Sequence, residues 1–432
     1  MAVPMVLAQL VNVTYSIVDR IFVGHIENVG SLALTGIGLT LPIVSLIVAF
    51  ACLFGNGGGA FCSIVRGEGD RDKAEKIMGN SFAMLVLTGL FLTVVLEISA
   101  VRILYALGAS ENTIDYASSY ARIYILGTIP VMISLGMNFF INLQGFAKTG
   151  MLTVIIGAVI NVILDPVFIF VLKLGVRGAA LATVIAQICS AIWVLRFIFS
   201  KKAVLEMKPV NMKIEKNILK RILGLGLTNF VMNITACIVQ MTSNLQLSRF
   251  GGDLYVSAMT IINSVREVLI TAVQGVTLGS QPVLGFNYGA GQYARVKKGI
   301  RFVTHITLAY AVVIWTLIFV APDKITMLFN DNRELIDITV PAMRIYFSCF
   351  MLLMFQLVGQ NVFVGLGKSK KAIFFSALRK VCIVFPLVLV LPGFIGTDGV
   401  FLAEPISSAV GGLACYLTMY FTIYRKLDSG TA

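Results

Sequence analysis

Apolar residues recur along the chain in runs of about 20, the length an α-helix needs to cross roughly 30 Å of hydrocarbon. Twelve such runs are evident, at 2–24, 32–59, 77–99, 118–141, 151–172, 178–199, 218–247, 255–282, 300–321, 336–363, 373–391 and 399–424. They are continuous rather than alternating, which predicts helices and not the short period-two strands of a membrane β-barrel. Pro42, Pro130, Pro166, Pro282, Pro386 and Pro405 fall inside the runs. Neighbouring helices can satisfy the backbone groups that such prolines free. The longest polar stretch, 200–217, carries Lys201, Lys202, Lys208, Lys213 and Lys216. The predicted organisation is an N-terminal lobe (1–199, spans one to six), a basic linker (200–217) and a C-terminal lobe (218–432, spans seven to twelve).

Composition narrows the class. Of 432 residues, 58% are apolar and 13% charged, and the mean hydropathy is +0.90. Soluble domains carry about 25% charged residues. Disorder is excluded, and so is a soluble multidomain enzyme, because too little polar surface is left to cover so large a core. The seven cysteines all lie in apolar runs without metal-ligand spacing, and are read as small lipid- or core-facing residues with no disulfide framework. The start, Met-Ala-Val-Pro, lacks the basic region of a secretory signal.

The net charge of +13 would suggest nucleic acid in a soluble protein. Here its distribution argues otherwise. The loops on one side, counted as 66–76, 142–150, 200–221, 287–301, 364–380 and 425–432, hold 23 Lys and Arg; the opposite loops hold six. The positive-inside rule makes the first side cytoplasmic, with both termini on it.

The two halves repeat one another. Gly67-Glu68-Gly69 and Lys76 match Gly289-Ala290-Gly291 and Lys298 at an offset of 222, as Arg122-Ile123-Tyr124 matches Arg344-Ile345-Tyr346. Gly145, Lys148 and Thr149 match Gly365, Lys368 and Ser369 at 220, Pro166 matches Pro386 at 220, and Gly178 matches Gly399 at 221. An even number of spans per half makes these parallel repeats, an arrangement of transporters. Against this internal control the polar residues are asymmetric. Asp19 falls opposite Met241, Asn161 opposite Val381, Asp165 opposite Phe385, and Thr183 opposite Glu404.

Five acids lie within predicted spans: Asp19, Glu97, Asp165, Glu267 and Glu404. A carboxylate at mid-membrane costs about 3 kcal/mol even on insertion scales, so each needs a partner, a cavity or a proton. Glu97 is expected to pair with Arg102, and Arg20 is a candidate partner for Asp19. Glu267 adjoins Arg266, although successive helical residues do not face each other. Asn161 and Asp165 share one helix face, and Pro166 frees the Val162 carbonyl in the same turn. Carboxylate, amide and carbonyl oxygens together suit a proton or a bare monovalent cation. Other signals weaken on inspection. Gly367-Lys368-Ser369 lacks the upstream glycine of a phosphate-binding loop. Gly57-Gly58-Gly59 reads as close helix packing. His25 and His305 are isolated. The 17 Met and 29 Phe could line an adaptable cavity, but most are read as core or lipid-facing.

Ile17-Val18-Asp19-Arg20-Ile21-Phe22-Val23-Gly24 resembles the first span of MATE (multidrug and toxic compound extrusion) transporters. So do Gly67-Glu68-Gly69-Asp70, Asn161-Val162-Ile163-Leu164-Asp165-Pro166, Gly178 to Thr183, and Gln281-Pro282 through Asn287-Tyr288-Gly289. The resemblance spans the chain and is nearest the bacterial drug-exporting branch. It implies an all-α integral membrane protein of twelve transmembrane helices, in two six-helix lobes forming a V. It also implies antiport of small organic cations against H⁺ or Na⁺, with no cofactor and no enzyme activity. The implied location is the cell membrane, as a multi-pass monomer among lipids. The cation-coupling residues of the family carry over to Asp19, Asn138, Asn161, Asp165 and Thr183, with Na⁺ held, if used, by Asp19, Asn161, Asp165 and Thr183. Glu267, Gln281, Asn287 and Glu404 are candidates for lining the substrate cavity. In the family geometry Asp19 and Asp165 meet, and two carboxylates in a poorly hydrated site cannot easily both ionise, so the pair should take up a proton in the physiological range. Pro4 is expected to kink span one.

Two departures from the family pattern stand out. Relatives carry additional N-terminal residues, which makes Met1 a candidate for a truncated or misassigned start. The Arg-Ala-Glu-Gly of close relatives is here Asn142-Leu143-Gln144-Gly145, which argues against an acidic substrate contact there. The main competing reading is a lipid or lipid-linked oligosaccharide flippase. It needs basic residues for phosphate, whereas this interior is expected to be acid-biased. A membrane-embedded enzyme would need a nucleophile–base pair, and a channel would not need a titratable pair.

Overall fold

The computed structural model describes residues 2–26, 30–107, 109–329 and 332–428, and among them the regular structure is helical throughout. Met1 lies outside the described residues, as does the Arg20 side chain weighed as a partner for Asp19. The first helices are α1 (Ala2–Gly24), α2 (Gly30–Gly67), α3 (Arg71–Ala106), α4 (Ile114–Leu126), α5 (Thr128–Leu143), α6 (Ala147–Pro166) and α7 (Val176–Ile198). Then come α8 (Lys216–Gly251), α9 (Asp253–Gly289), α10 (Tyr293–Val320), the short α11 (Pro322–Met327), α12 (Arg333–Phe347) and α13 (Phe350–Gly365). The last two spans are segmented: α14 (Ser369–Ala377), α15 (Phe385–Val390) and α16 (Pro392–Ile395), then α17 (Thr397–Ser407) and α18 (Leu413–Met419). π-helical turns at Leu378–Val384 and Ser408–Gly412 join their pieces.

Eight unbroken stretches are long and apolar enough to cross a membrane, and two more cross as bent pairs. The helices α1 and α8, of 23 and 36 residues, complete twelve. The spans predicted at 118–141 and 336–363 are therefore not straight. The helices α4 and α5 meet at 57°, and α12 and α13 at 47°. The breaks fall at Gly127 and at Ser348–Cys349, equivalent places in the repeat, so the bend belongs to the shared scaffold.

Backbone geometry tightens the repeat and corrects one register. Left-handed glycines recur at Gly69 and Gly291, at Gly145 and Gly367, and at Gly175 and Gly396. Together with the matching ends of α5 and α13, this pairs Gly145 with Gly367 at 222, not with Gly365. The register slips to 220 only at Pro166 and Pro386.

The chain divides into two compact units, Val3–Gly226 and the residues from Leu227 onward. In the first, α2 lies against α3 and α5, and α6 against α7. The first turns of α8 close on α2, where a Cβ on Gly226 would run into the Leu53 backbone and one on Gly57 into Ile222. The segment 200–217 is strapped to this unit by buried side chains. Gln144 Oε1 accepts from the Val204 and Leu205 N–H groups at 2.7 and 3.0 Å. Asn80 donates to the Lys213 carbonyl at 3.0 Å and accepts from the Glu215 N–H at 2.8 Å. Glu75 accepts from the Glu206 N–H at 3.1 Å. Gln144 Nε2 also donates to the Phe140 carbonyl at 2.9 Å, which an amide can do and a carboxylate cannot. Asn80→Ala should free this strap, and tryptic cleavage of purified protein between Lys201 and Lys216 should accelerate severalfold. An unchanged cleavage rate would show that Asn80 does not hold it.

Candidate functional site

In the first unit, α1, α6 and α7 bring polar side chains together inside apolar helices. Asp165 and Asn161 are buried, at 0% and 1% exposure. Asn161 Nδ2 donates to Asp165 Oδ1 at 3.1 Å and to Thr183 Oγ1 at 3.3 Å. The Thr183 hydroxyl spends its own proton on the Ala179 carbonyl at 3.0 Å, so it must accept from Asn161. This chain of bonds orients the Asn161 amide. Asp165 Oδ2 takes no N–H or O–H from the described residues, and the Asp19 carboxyl stands within hydrogen-bonding reach of the same group. Two carboxyls at that range need a proton or a cation between them.

A cavity of about 40 Å³ adjoins the cluster, and Asn138, Asn161 and Thr183 line it together with Asn12, Tyr15 and Gln187. Asn138 donates to the Gly150 carbonyl at 3.2 Å. The amide oxygens of Asn138 and Asn161 are buried and meet no donor among the described residues. The five residues carried over from the resemblance therefore lie around one place. Reasoning from sequence missed Tyr15, Gln187 and Tyr120, whose hydroxyl reaches Thr183. A signal existed for two of them. Asn12, Tyr15 and Asp19 stand three and four residues apart, as do Thr183, Gln187 and Ser190, each a polar stripe down an apolar helix.

The four proposed cavity residues of the second unit do not come together. Glu267 is exposed. Gln281 is buried against Gly365, and Asn287 bonds back to the Val283 carbonyl of its own helix. Glu404 lines a cavity, and it does so among cations. It accepts from Arg379 and, with both oxygens at 3.3 Å, from Lys380, while Arg266 lies 3.9 Å away. Arg379 and Lys380, counted above as loop cations, are buried at 4% and 7% exposure. This takes two charges from the cytoplasmic count without reversing its excess. It also overturns the expectation of an acid-biased interior for this unit. Glu97 is corrected too: its partner is Arg122, at 3.9 Å, because α4 and not the end of α3 faces it. His25 and His305 each bond the carbonyl four residues back on their own helix.

The MatE family model matches residues 4–167 and again 229–390, one match in each repeat. The chain belongs to the MatE family. It is a multi-pass membrane transporter, not an enzyme. It is 26% identical over 425 residues to the multidrug export protein MepA of Staphylococcus haemolyticus, covering 98% of this chain and 92% of that protein. Against MepA of Staphylococcus aureus the identity is 23% over 419 residues, with coverage of 97% and 92%. The fold matches an outward-facing multidrug resistance MATE transporter of the MOP superfamily with a TM-score of 0.92 at 20% identity, covering 100% and 95% of the two chains. A MOP superfamily transporter from Pyrococcus furiosus gives 0.92 at 21%, with coverage of 99% and 95%. These likenesses confirm the MATE fold of twelve helices.

Proposed function

We propose that this MATE chain exports organic cations from the cell in exchange for protons taken up at Asp19 and Asp165. The observation that carries the reading is the meeting of the two carboxyls from α1 and α6 beside a cavity into which Asn138, Asn161 and Thr183 project. Protonation removes the negative charge that makes the site attractive to a cation, so proton and substrate disfavour each other's bound state. Antiport requires such a reciprocal coupling, typically about 1–3 kcal/mol. The names of the MepA relatives support multidrug export. Na⁺ is the second reading, favoured by the donor-free oxygens of Asn138 and Asn161. The Asn161 amide presents its N–H groups, not its oxygen, to Asp165 and Thr183, which favours the proton.

The test is purified protein in liposomes with a permanently charged fluorescent cation, which is not trapped by protonation. An acidic lumen should drive the cation inward against its own gradient, and an outward Na⁺ gradient at uniform pH should not. Accumulation driven by Na⁺ alone would select the second reading. Equilibration without either gradient would leave a facilitator or channel. The same reading places the protein in the cell membrane as a monomer, with both termini and 200–217 cytoplasmic. Trypsin should then cut at Lys201 to Lys216 in inside-out vesicles and spare sealed right-side-out ones; the reverse would invert the orientation.

A further inference from the structure

The second unit repeats the first in outline but not in charge. Where α7 carries Thr183, the repeat carries Glu404 on α17. Within a turn of the position matching Asn161 stand Arg379 and Lys380, in the π-helical turn Leu378–Val384. Three cations, Arg266, Arg379 and Lys380, surround the single carboxylate of Glu404. Arg379 is fully engaged: its Nε donates to Ser407 at 3.2 Å, its Nη1 to Gln356 at 3.3 Å and its Nη2 to Glu404. Arg266 is not. Its Nη2 is too far from Glu404 for a hydrogen bond, and its buried Nε has no acceptor among the described residues. Asn263 Nδ2, one helical turn away on α9, is likewise buried with no acceptor among them.

Arg266, Asn263, Lys380 and Glu404 line one cavity of about 60 Å³ within this unit. A single water needs about 10–15 Å³ of such space, so the cavity suits a small polyatomic group rather than a drug-sized molecule. Buried donors and an excess of positive charge call for acceptor oxygens and negative charge, and Glu404 already shows how a carboxylate binds there. We infer that the second unit holds an oxyanion site, in which Arg266, Lys380 and the Asn263 amide bind a carboxylate or phosphate group beside Glu404. The inference is independent of the export reading, since it uses no residue of the first unit.

The expected behaviour is that inorganic phosphate raises the unfolding midpoint of the purified full-length protein in neutral detergent, and that chloride at equal ionic strength does not. Removing a charged donor should raise the half-saturating phosphate concentration about tenfold or more. Lys380→Met and Arg266→Gln each test this, and Arg266, a quarter exposed, is the variant safer for folding. Glu404→Gln should do the opposite and lower the half-saturating concentration, because it removes the competing carboxylate. A merely structural charge cluster would not show that sign. Native mass spectrometry of protein from phosphatidylglycerol-containing bilayers is the second arm. Retention of that lipid by the wild type and its loss in Lys380→Met would identify a headgroup as the source of the oxyanion. Equal responses to phosphate and chloride with no retained anionic lipid would overturn the site, and so would a phosphate response unchanged in both cation variants.

Discussion

Replacing Asp165 by Asn should bring cation efflux down to the level of cells without the transporter, at normal membrane abundance. Asp19→Asn should do the same. Asn matches Asp in size, and at 165 its side-chain oxygen can still accept from Asn161, so the helix contacts survive. What disappears is the group that, in the proposed cycle, loses and gains a proton. With one carboxyl left, the close pair that forces proton uptake no longer exists, and a cation meets a site whose charge does not change over the cycle. Efflux of a fluorescent cation from energised cells, with an immunoblot of membranes, reads both halves of the expectation. Thr183→Ala is the graded comparison. It removes the hydroxyl that accepts from Asn161 and meets Tyr120, contacts worth about 1 kcal/mol each, and should reduce efflux without abolishing it. Efflux retained by both Asp variants would remove the pair from the mechanism.

Arg379→Met should cause the largest loss of stability. Arg379 is 4% exposed and bonds Gln356 on α13 and both Glu404 and Ser407 on α17. Breaking a buried pair by removing one partner costs about 3–5 kcal/mol, because the remaining groups stay desolvated without their bonds. The expected reading is a large fall in the midpoint of thermal unfolding in detergent, with reduced recovery from membranes. A change below about 1 kcal/mol would be the size of an exposed pair and would contradict the burial of this cluster. The same geometry revises an expectation for Glu404. From sequence, Glu404→Gln should retain appreciable activity, because the residue lies outside the N-terminal cluster. In the structure it is the carboxylate that offsets three cations, so Glu404→Gln should also destabilise the second unit.

The membrane class and the helical spans were legible in the chain because hydrocarbon leaves the backbone few choices. A run of about 20 apolar residues must satisfy its own hydrogen bonds, and local composition records that demand directly. The polar cluster of the first unit was legible for a related reason. Asn161 and Asp165 sit four apart on one helix, and the break in repeat symmetry marked them as additions to a shared scaffold. Their meeting with Asp19 came from family resemblance, since nothing local joins α1 to α6. The basic cluster shows where this kind of reading fails. Arg379 and Lys380 stand at the edge of an apolar run, where charge usually marks a loop, so they were counted with solvent. Their burial depends on α14 starting at Ser369, on the widened turn that follows, and on Glu404 arriving 24 residues later to meet Lys380. The binding of 200–217 to Asn80 and Gln144, more than 60 residues apart in sequence, has the same character. Periodicity reports what a residue faces along its own helix. The partner that makes a buried charge or amide tolerable comes from another part of the chain, and only the packing of the helices decides which one it is.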